Sequence, residues 1–431
     1  MGASQDRKKY DASRILYEAL NIGEQLLICG AEVRRVEDTI FRICQAYGMK
    51  RVDVFTITSS IIATVQTEDD EIVTQTRRIA GYEMNLSRLS ELNALSREIC
   101  SRRVSPDEVE NRIRQILIDR PVRRGEEYLI YCLVSGTFTM FFGGSLADSL
   151  ASVITGAFLC FFVRRSRKMV RNRLLLALVN AVFTGFAAVF VVYLGLGDQI
   201  SRIVIGNIML LIPGIPLTNS IRDMLSGDTM SGILRLCESL LLAVTIAGGM
   251  ALVLLQFNLQ TDGERAAWEA LGTLERWYFS ERGQVVIQIL SAFFGSLSYA
   301  MLFHVRGRRM CLGALGGMAV WTLYLFAGLF TDSAFWGFML ASMAATAYGE
   351  WMARREKTPA TVFLVPAVIP LIPGGSLYDT MYCAVNGDYT GFASMGLHTL
   401  KLAAAISIGI LVASSLIQTA LRRPVRQQTH S

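Results

Sequence analysis

Long apolar runs fill the chain from about residue 126 to residue 421, whereas the preceding part mixes charged and apolar positions. A membrane-spanning helix needs about 20 consecutive, mostly apolar residues. Ten stretches approach this length, and short polar or basic segments separate them. They are Tyr128–Gly144, Ser145–Val163, Leu174–Leu196, Ile200–Ile215, Gly232–Phe257, Val285–His304, Cys311–Phe330, Phe335–Trp351, Ala360–Gly374 and Gly391–Leu416. The pattern predicts an α-helical polytopic membrane protein with ten transmembrane helices.

In the first part of the chain, apolar residues recur at the spacing of amphipathic helices and strands, as expected for a folded domain outside the membrane. Apolar residues at helical spacing predict two amphipathic helices broken at Gly30, and two more over Asn85–Cys100 and Ser105–Ile118. Between these pairs, alternating runs rich in Val, Ile and Thr predict strands. The predicted strands are Arg51–Thr58, Ile61–Gln66 and Glu71–Gln75. We therefore expect a small α+β domain.

One segment of the apolar region occurs twice. LLIPGIPLTNSIRDMLSGD begins at Leu210, and PLIPGGSLYDTMYCAVNGD begins at Pro370, with the shared LIPG motifs 160 residues apart. A duplicated unit of five helices is the simplest explanation. Because five is odd, the second copy must cross the membrane in the opposite sense. The repeat therefore predicts inverted halves, which in transporters place the substrate near the middle of the bilayer.

The repeated segment has the chemistry of a broken helix. Proline lacks a backbone N–H and glycine readily leaves helical geometry, so we expect a stop or kink at Pro213–Gly214 and Pro373–Gly374. The break frees carbonyls for a polar ligand, and a restarted helix would attract a carboxylate at its N-terminus. Asn219 and Asp379 occupy equivalent positions beyond the breaks, where they could receive an ammonium or hydroxyl group. An ordinary loop between two helices is the alternative, and it stays open.

Ionisable residues within the predicted spans are candidates for coupling or gating. Glu238 and His398 align in the fifth span of each half, and Asp148 lies in the second span. A charge in lipid costs at least about 2.5 kcal/mol, so such residues often serve a function. Proton coupling is one hypothesis, and solvated positions near the membrane surface are the somewhat favoured alternative. Asp228 and Asp388, which end the repeated segments, are more typical of helix caps.

Composition and charge support this organisation. Apolar residues make up 52% of the 431 residues and charged residues 18%, which argues against a soluble globular protein. Loops on the cytoplasmic side of a membrane protein carry an excess of lysine and arginine. With the amino terminus in the cytoplasm, the basic clusters between the predicted spans all fall on that side, so we expect both termini in the cytoplasm. The predicted parts are a cytoplasmic α+β domain (1–124), a first five-helix repeat (125–258), an extracytoplasmic loop (259–283), a second repeat (284–421) and a cytoplasmic tail (422–431).

Catalytic and metal-binding patterns are not apparent in the sequence. The eight cysteines form no CxxC pair, and the three histidines have no ligand partner at helical spacing, so neither a metal nor another cofactor is expected. The densest polar stretch, GAEVRRVEDT, suggests at most a surface ion pair between Arg34 and Glu37. Without a nucleophile constellation or a phosphate-binding loop, we do not expect an enzyme.

Taken together, GAEVRRVEDTI, the β-rich VFTITSSIIATV and the two LIPG segments with their trailing GD resemble the threonine/serine exporter family. The resemblance runs from Arg14 to about Leu416. It implies a secondary transporter of the bacterial inner membrane that exports threonine and serine, driven by protons. The family pattern also falls on Gly30, Ala31, Arg35 and Glu37, which favours a structural or gating role for Arg35 and Glu37.

Two other functions stay open. The family includes two-protein forms linked to dicarboxylate export, and the soluble domain could instead act as a membrane-anchored enzyme or sensor. The expected partners are a small amino acid and membrane lipid. We expect no nucleic-acid partner, and a homo-oligomer remains open.

Overall fold

The structure, a computed structural model, describes residues 11–118, 123–256 and 280–421. The chain divides into two compact units. The first, here the N-terminal unit, comprises residues 1–121 with residues 227–234 and 303–305. The second, here the membrane unit, contains the remainder. Most of the predicted extracytoplasmic loop 259–283 and the whole predicted tail 422–431 lie outside the described residues.

Within residues 11–118, the N-terminal unit combines four helices with a three-stranded antiparallel sheet of order β1-β2-β3. Its elements are α1 (Ala12–Ile28), α2 (Val33–Ala46), β1 (Arg51–Ile57), β2 (Ser60–Gln66), β3 (Ile72–Arg78), α3 (Leu86–Arg102) and α4 (Pro106–Leu117). Leu16, Leu20, Ile40 and Ile61 are among the fully buried side chains of its core. The order and types of these elements agree with those expected from the sequence.

Local chemistry explains where the helices of this unit begin and end. Gly30, between α1 and α2, has φ +92°, a conformation that costs glycine little. Ser105 Oγ accepts the Glu108 backbone N–H at 3.3 Å, and Pro106 takes the first helical position of α4. Serine at the cap and proline at the first helical position are typical of a helix start.

The membrane unit is entirely helical in the part of the chain that is described. Its helices are α5 (Arg124–Phe141), α6 (Leu146–Met169), α7 (Arg173–Tyr193), α8 (Ile200–Ile208), α9 (Gly214–Leu225), α10 (Thr229–Gln256), α11 (Glu281–Leu302), α12 (Arg308–Ala327), α13 (Ala334–Glu356), α14 (Thr361–Val368), α15 (Gly374–Val385) and α16 (Tyr389–Leu421). A short 3₁₀ helix, Ile369–Leu371, follows α14. The first residues of α10 belong to the N-terminal unit.

Six of the described helices are long and apolar enough to cross a membrane: α6, α7, α10, α11, α12 and α16. A seventh span arises if Thr361–Leu371 and Gly374–Ala384, bent by 46° at their junction, count as one. The chain is therefore a polytopic membrane protein. The number of ten spans stays a prediction.

Two predicted spans end earlier than expected. The stretch Ile200–Ile215 is not one helix, because α8 ends at Ile208 and α9 begins at Gly214. Likewise Ala360–Gly374 ends at Leu371. Pro213 and Pro373 stand immediately before the restarted helices, as expected for residues that cannot donate to the preceding turn.

Candidate substrate-binding site

The two breaks contact each other in the membrane unit. A Cβ added to Gly214 would lie 2.2 Å from Cγ2 of Ile372, and one added to Gly374 would lie 2.5 Å from Sδ of Met209. Gly214 therefore packs against the second repeated segment, and Gly374 packs against the residue that immediately precedes the first. The structure brings together Pro213–Gly214 and Pro373–Gly374, which lie far apart in sequence.

A tyrosine from α11 stabilises the first break. Pro213 has no N–H to offer the carbonyl of Met209, four residues earlier. The buried hydroxyl of Tyr299 donates to that carbonyl instead, at 2.5 Å. Sequence reasoning missed this contact, because nothing in the local sequence relates Tyr299 to Met209.

The sequence neighbours of Asn219 and Asp379 contact α16 at two different positions along that helix, here called levels. Next to Asp379, Thr380 Oγ1 is 3.2 Å from Thr399 Oγ1, whereas next to Asn219 the carbonyl of Thr218 accepts from Ser407 Oγ at 2.9 Å. Thr399 and Ser407 are eight residues apart on one helix, or about 12 Å at 1.5 Å per residue.

The expectation that both segments hold one small substrate between Asn219 and Asp379 stays a prediction, and the neighbours of these residues contact α16 about 12 Å apart. Asn219 and Asp379 therefore belong to two levels of the membrane unit.

Arg202 belongs to the same level as Asp379. It was not among the ionisable residues expected from the sequence to have a function. Its Nη1 donates to the Phe142 carbonyl at 2.7 Å. A Cβ added to Gly375 would lie 2.8 Å from the Phe142 ring, and Asp379 is one helical turn beyond Gly375. The charge of Arg202 acts on the Asp379 carboxylate, which is exposed.

A buried ion pair at the other level was also missed. Arg235 Nη1 lies 2.7 Å from Asp223 Oδ2, with only 13% and 4% of the respective side chains exposed. The pair joins α9 to α10. In the second repeat the equivalent positions are Cys383 and Met395, so this pair has no counterpart there.

The coupling candidates Asp148, Glu238 and His398 differ in burial. Asp148 is fully buried and accepts the backbone N–H groups of Ser145, Asp198 and Gln199 at 2.8–2.9 Å. This geometry, a capping box tied to the segment before α8, favours a structural role. Glu238 and His398 are exposed, and neither has a hydrogen bond or ion pair within the described ranges. These positions favour the solvated alternative over coupling.

In the N-terminal unit, Arg35 and Glu37 connect elements rather than forming a surface pair. Arg35 Nη2 donates to Asn93 Oδ1 at 3.1 Å, and Glu37 Oε1 accepts the Thr56 N–H at 2.8 Å. These contacts join α2 to α3 and to β1. Burial raises the pKa of Glu37, while the Thr56 N–H opposes this shift.

The two repeated Gly-Asp pairs differ from each other. Asp388 Oδ1 accepts the Gly391 N–H at 2.9 Å, so it caps α16 as expected. Asp228 contributes its backbone carbonyl to the start of α10, through the Gly232 N–H at 2.9 Å. Its carboxylate lies in the field of Arg34, and among the described residues it makes no capping hydrogen bond.

The helical membrane unit, in which two helix breaks contact each other, defines a class: polytopic membrane proteins of the kind that carry solutes. Sequence profiles of the threonine/serine exporter family match residues 18–257 and residues 288–416. The chain belongs to this family.

Similar proteins extend over most of the chain. The threonine/serine exporter of Corynebacterium glutamicum is 25% identical over 435 residues, covering 95% of this chain and 83% of that protein. The probable threonine/serine exporter of Mycobacterium tuberculosis is also 25% identical, covering 94% of this chain and 76% of that protein. The probable succinate transporter subunit YjjP of Klebsiella aerogenes is 25% identical over 54% of this chain. No solved structure matches the chain.

Proposed function

We propose that the protein is a secondary transporter that exports threonine and serine across the bacterial inner membrane, coupled to protons. The observation that carries the proposal is the contact between the two duplicated helix breaks in the membrane unit. Breaks of this kind expose carbonyls and helix ends to a solute while the surrounding protein shields them from lipid. The two exporter relatives that span the chain support this choice of substrate.

The proposal includes the architecture expected from the sequence. It holds that residues 125–258 and 284–421 are inverted five-helix repeats, with residues 1–124 and both termini in the cytoplasm. Packing of α9 and α15 against the same helix, α16, supports related roles for the two restarted helices. A reporter fused after Thr261 should be active outside the cytoplasm, and a cytoplasmic signal would contradict this topology.

The substrate path comprises the two breaks and the residues beyond them. Pro213–Gly214 and Pro373–Gly374 contact each other at the breaks. Beyond the breaks, Asn219 and Asp379 lie at two levels along α16. We propose that the solute contacts these levels in turn, as the two halves alternate in opening. Sequential contact is consistent with the separation of about 12 Å along α16.

Dicarboxylate export is the alternative function, suggested by the relative named as a succinate transporter subunit. That relative matches about half of this chain. The exposed carboxylate of Asp379 argues against this substrate, because it would repel a second carboxylate in the solute. The enzyme or sensor alternative does not explain why two helix breaks are duplicated and packed together.

Efflux from proteoliposomes tests the proposal. Purified protein should release labelled threonine and serine faster than protein-free liposomes, and labelled succinate at the background rate. An imposed pH gradient should change the threonine rate, and a protonophore should remove that change. Gly214→Val should lower threonine efflux, since its side chain would displace Ile372 at the breaks. Threonine efflux equal to that of empty liposomes would overturn the proposed function.

A further inference from the structure

The level of the membrane unit that contains Arg202 and Asp379 has the charges of a specific recognition site. Arg202 is the third residue of α8, and its stem passes Gly144, where an added Cβ would lie 3.2 Å from the arginine Cβ. One guanidinium nitrogen is fixed on the Phe142 carbonyl. The remaining N–H groups have no hydrogen-bond partner in residues 123–256 and 280–421. A fixed guanidinium with free donors is suited to a carboxylate.

Asp379 supplies the opposite charge from α15. The opposite face of α15 anchors the helix, since Leu377, Tyr378 and Met381 are buried in a core cluster that also contains residues of α8 and α10. The Asp379 side chain is exposed, and it accepts no hydrogen bond from the part of the chain that is described. Its carboxylate is therefore available to an ammonium group.

The two charges lie near each other without touching. Phe142 contacts both elements, through its carbonyl to Arg202 and through its ring to Gly375. Arg202 is close enough for its charge to act on Asp379, yet no ion pair joins them within the described segments. Charged groups within membrane segments almost always face the protein interior or a water-filled cavity. A polar solute could therefore enter between them.

We propose that Arg202 and Asp379 form a subsite for the head group of a zwitterionic α-amino acid, with Arg202 binding the carboxylate and Asp379 the ammonium. The inference rests on the proposed function and assigns two residues that bind the head group of its substrate. An α-amino acid carries both charges on one carbon, so it can bridge the two side chains. A dicarboxylate would place a negative group against Asp379, and a diamine would place a positive group against Arg202.

The test is counterflow of labelled threonine into proteoliposomes containing the full-length protein. The competitors are unlabelled threonine, threoninol, which lacks the carboxylate, and the hydroxy acid in which a hydroxyl replaces the amino group. For the unmodified protein, each analogue should compete at least about tenfold more weakly than threonine, because it leaves one charged partner unmatched.

Two variants separate the two contacts. Asp379→Asn should lower threonine counterflow about ten- to hundredfold and shift the preference toward the hydroxy acid. Arg202→Gln should lower it similarly and shift the preference toward threoninol. Asp379→Glu, which keeps the charge, should retain the preference for threonine. Asp332→Asn and Arg354→Gln, at exposed positions of the same unit, are the matched controls.

The outcomes are distinguishable. Absence of threonine counterflow in the unmodified protein would overturn the proposed function together with this inference. Threonine counterflow with unchanged analogue preferences in folded Asp379→Asn and Arg202→Gln proteins would overturn the subsite alone. Size-exclusion profiles identify variants that fail to fold. If Asp379→Asn or Arg202→Gln fails to fold, the preference of Asp379→Glu for threonine over the analogues decides the result. Loss of discrimination in that variant would count against the subsite.

Discussion

Replacing Tyr299 with phenylalanine tests how the first helix break is stabilised. The hydroxyl donates to the Met209 carbonyl at 2.5 Å, and Tyr299 and Met209 are 7% and 5% exposed. Phenylalanine keeps the edge contact between this ring and Phe138, whose centroids are 5.8 Å apart. The substitution therefore removes one hydrogen bond and little packing.

The expected loss of stability is about 1–2 kcal/mol. A buried carbonyl left without its donor costs about 1–3 kcal/mol in soluble proteins. Hydrogen bonds between membrane helices average about 0.6 kcal/mol and reach about 1.7 kcal/mol. The upper part of that range applies here, because Pro213 removes the usual helical donor and the buried carbonyl has little access to water.

Thermal unfolding in detergent measures the effect, with Tyr193→Phe as the control because Tyr193 is 87% exposed. The measurement is repeated in a Pro213→Ala background, where residue 213 regains an N–H that can bond to Met209. The cost of Tyr299→Phe should be smaller there, with a coupling of at least about 0.5 kcal/mol. Equal costs in both backgrounds, or no cost in either, would refute the explanation of the break.

Three further predictions use the same full-length protein. Gly214→Ala should destabilise it by about 1–3 kcal/mol through overpacking, and Ile372→Ala should relieve part of that cost. Gly248→Ala, with no neighbour within 4 Å, is the control, and equal effects at both glycines would contradict the close contact. Asp148→Ala should cost about 1–2 kcal/mol in thermal unfolding, while residual efflux keeps its pH dependence. A changed pH dependence would instead support coupling through Asp148. Burial raises the pKa of Glu37 above its usual 4.5. The protonated Glu37 side chain therefore contributes its full stabilising effect below about pH 4.5, and this contribution is lost as the pH rises through the pKa of Glu37 in the folded protein. Glu37→Gln should therefore flatten the fall in thermal stability between about pH 4.5 and neutrality, and an unchanged slope would refute this reasoning.

Much of the fold follows from local sequence. Residue-by-residue preferences predict the helices and strands of the N-terminal unit and the Ser105 cap, because each depends on groups within a few positions. The helix breaks before Gly214 and Gly374 are predictable for the same reason, since a proline removes its own N–H wherever it occurs. The duplication also identified both segments as candidates for the site.

The partners of the candidate residues were not predictable in this way. Arg202 lies in the fourth predicted span, yet its relation to Asp379 depends on Phe142 and Gly375, which come from two further parts of the chain. The exposure of Glu238 and the backbone contacts of Asp148 depend on how whole helices are rotated and packed. Hydropathy and spacing carry no information about these rotations.

The sequence by itself determined the helical membrane character, the small α+β domain, the repeat and the positions of the two breaks. Only the tertiary structure decided that the breaks touch, that Tyr299 satisfies the Met209 carbonyl, and that Asn219 and Asp379 lie at separate levels. The physical reason is the distance along the chain over which each interaction acts. Backbone geometry and hydrogen bonding act over a few residues, whereas contacts between distant segments are set by close packing of whole helices.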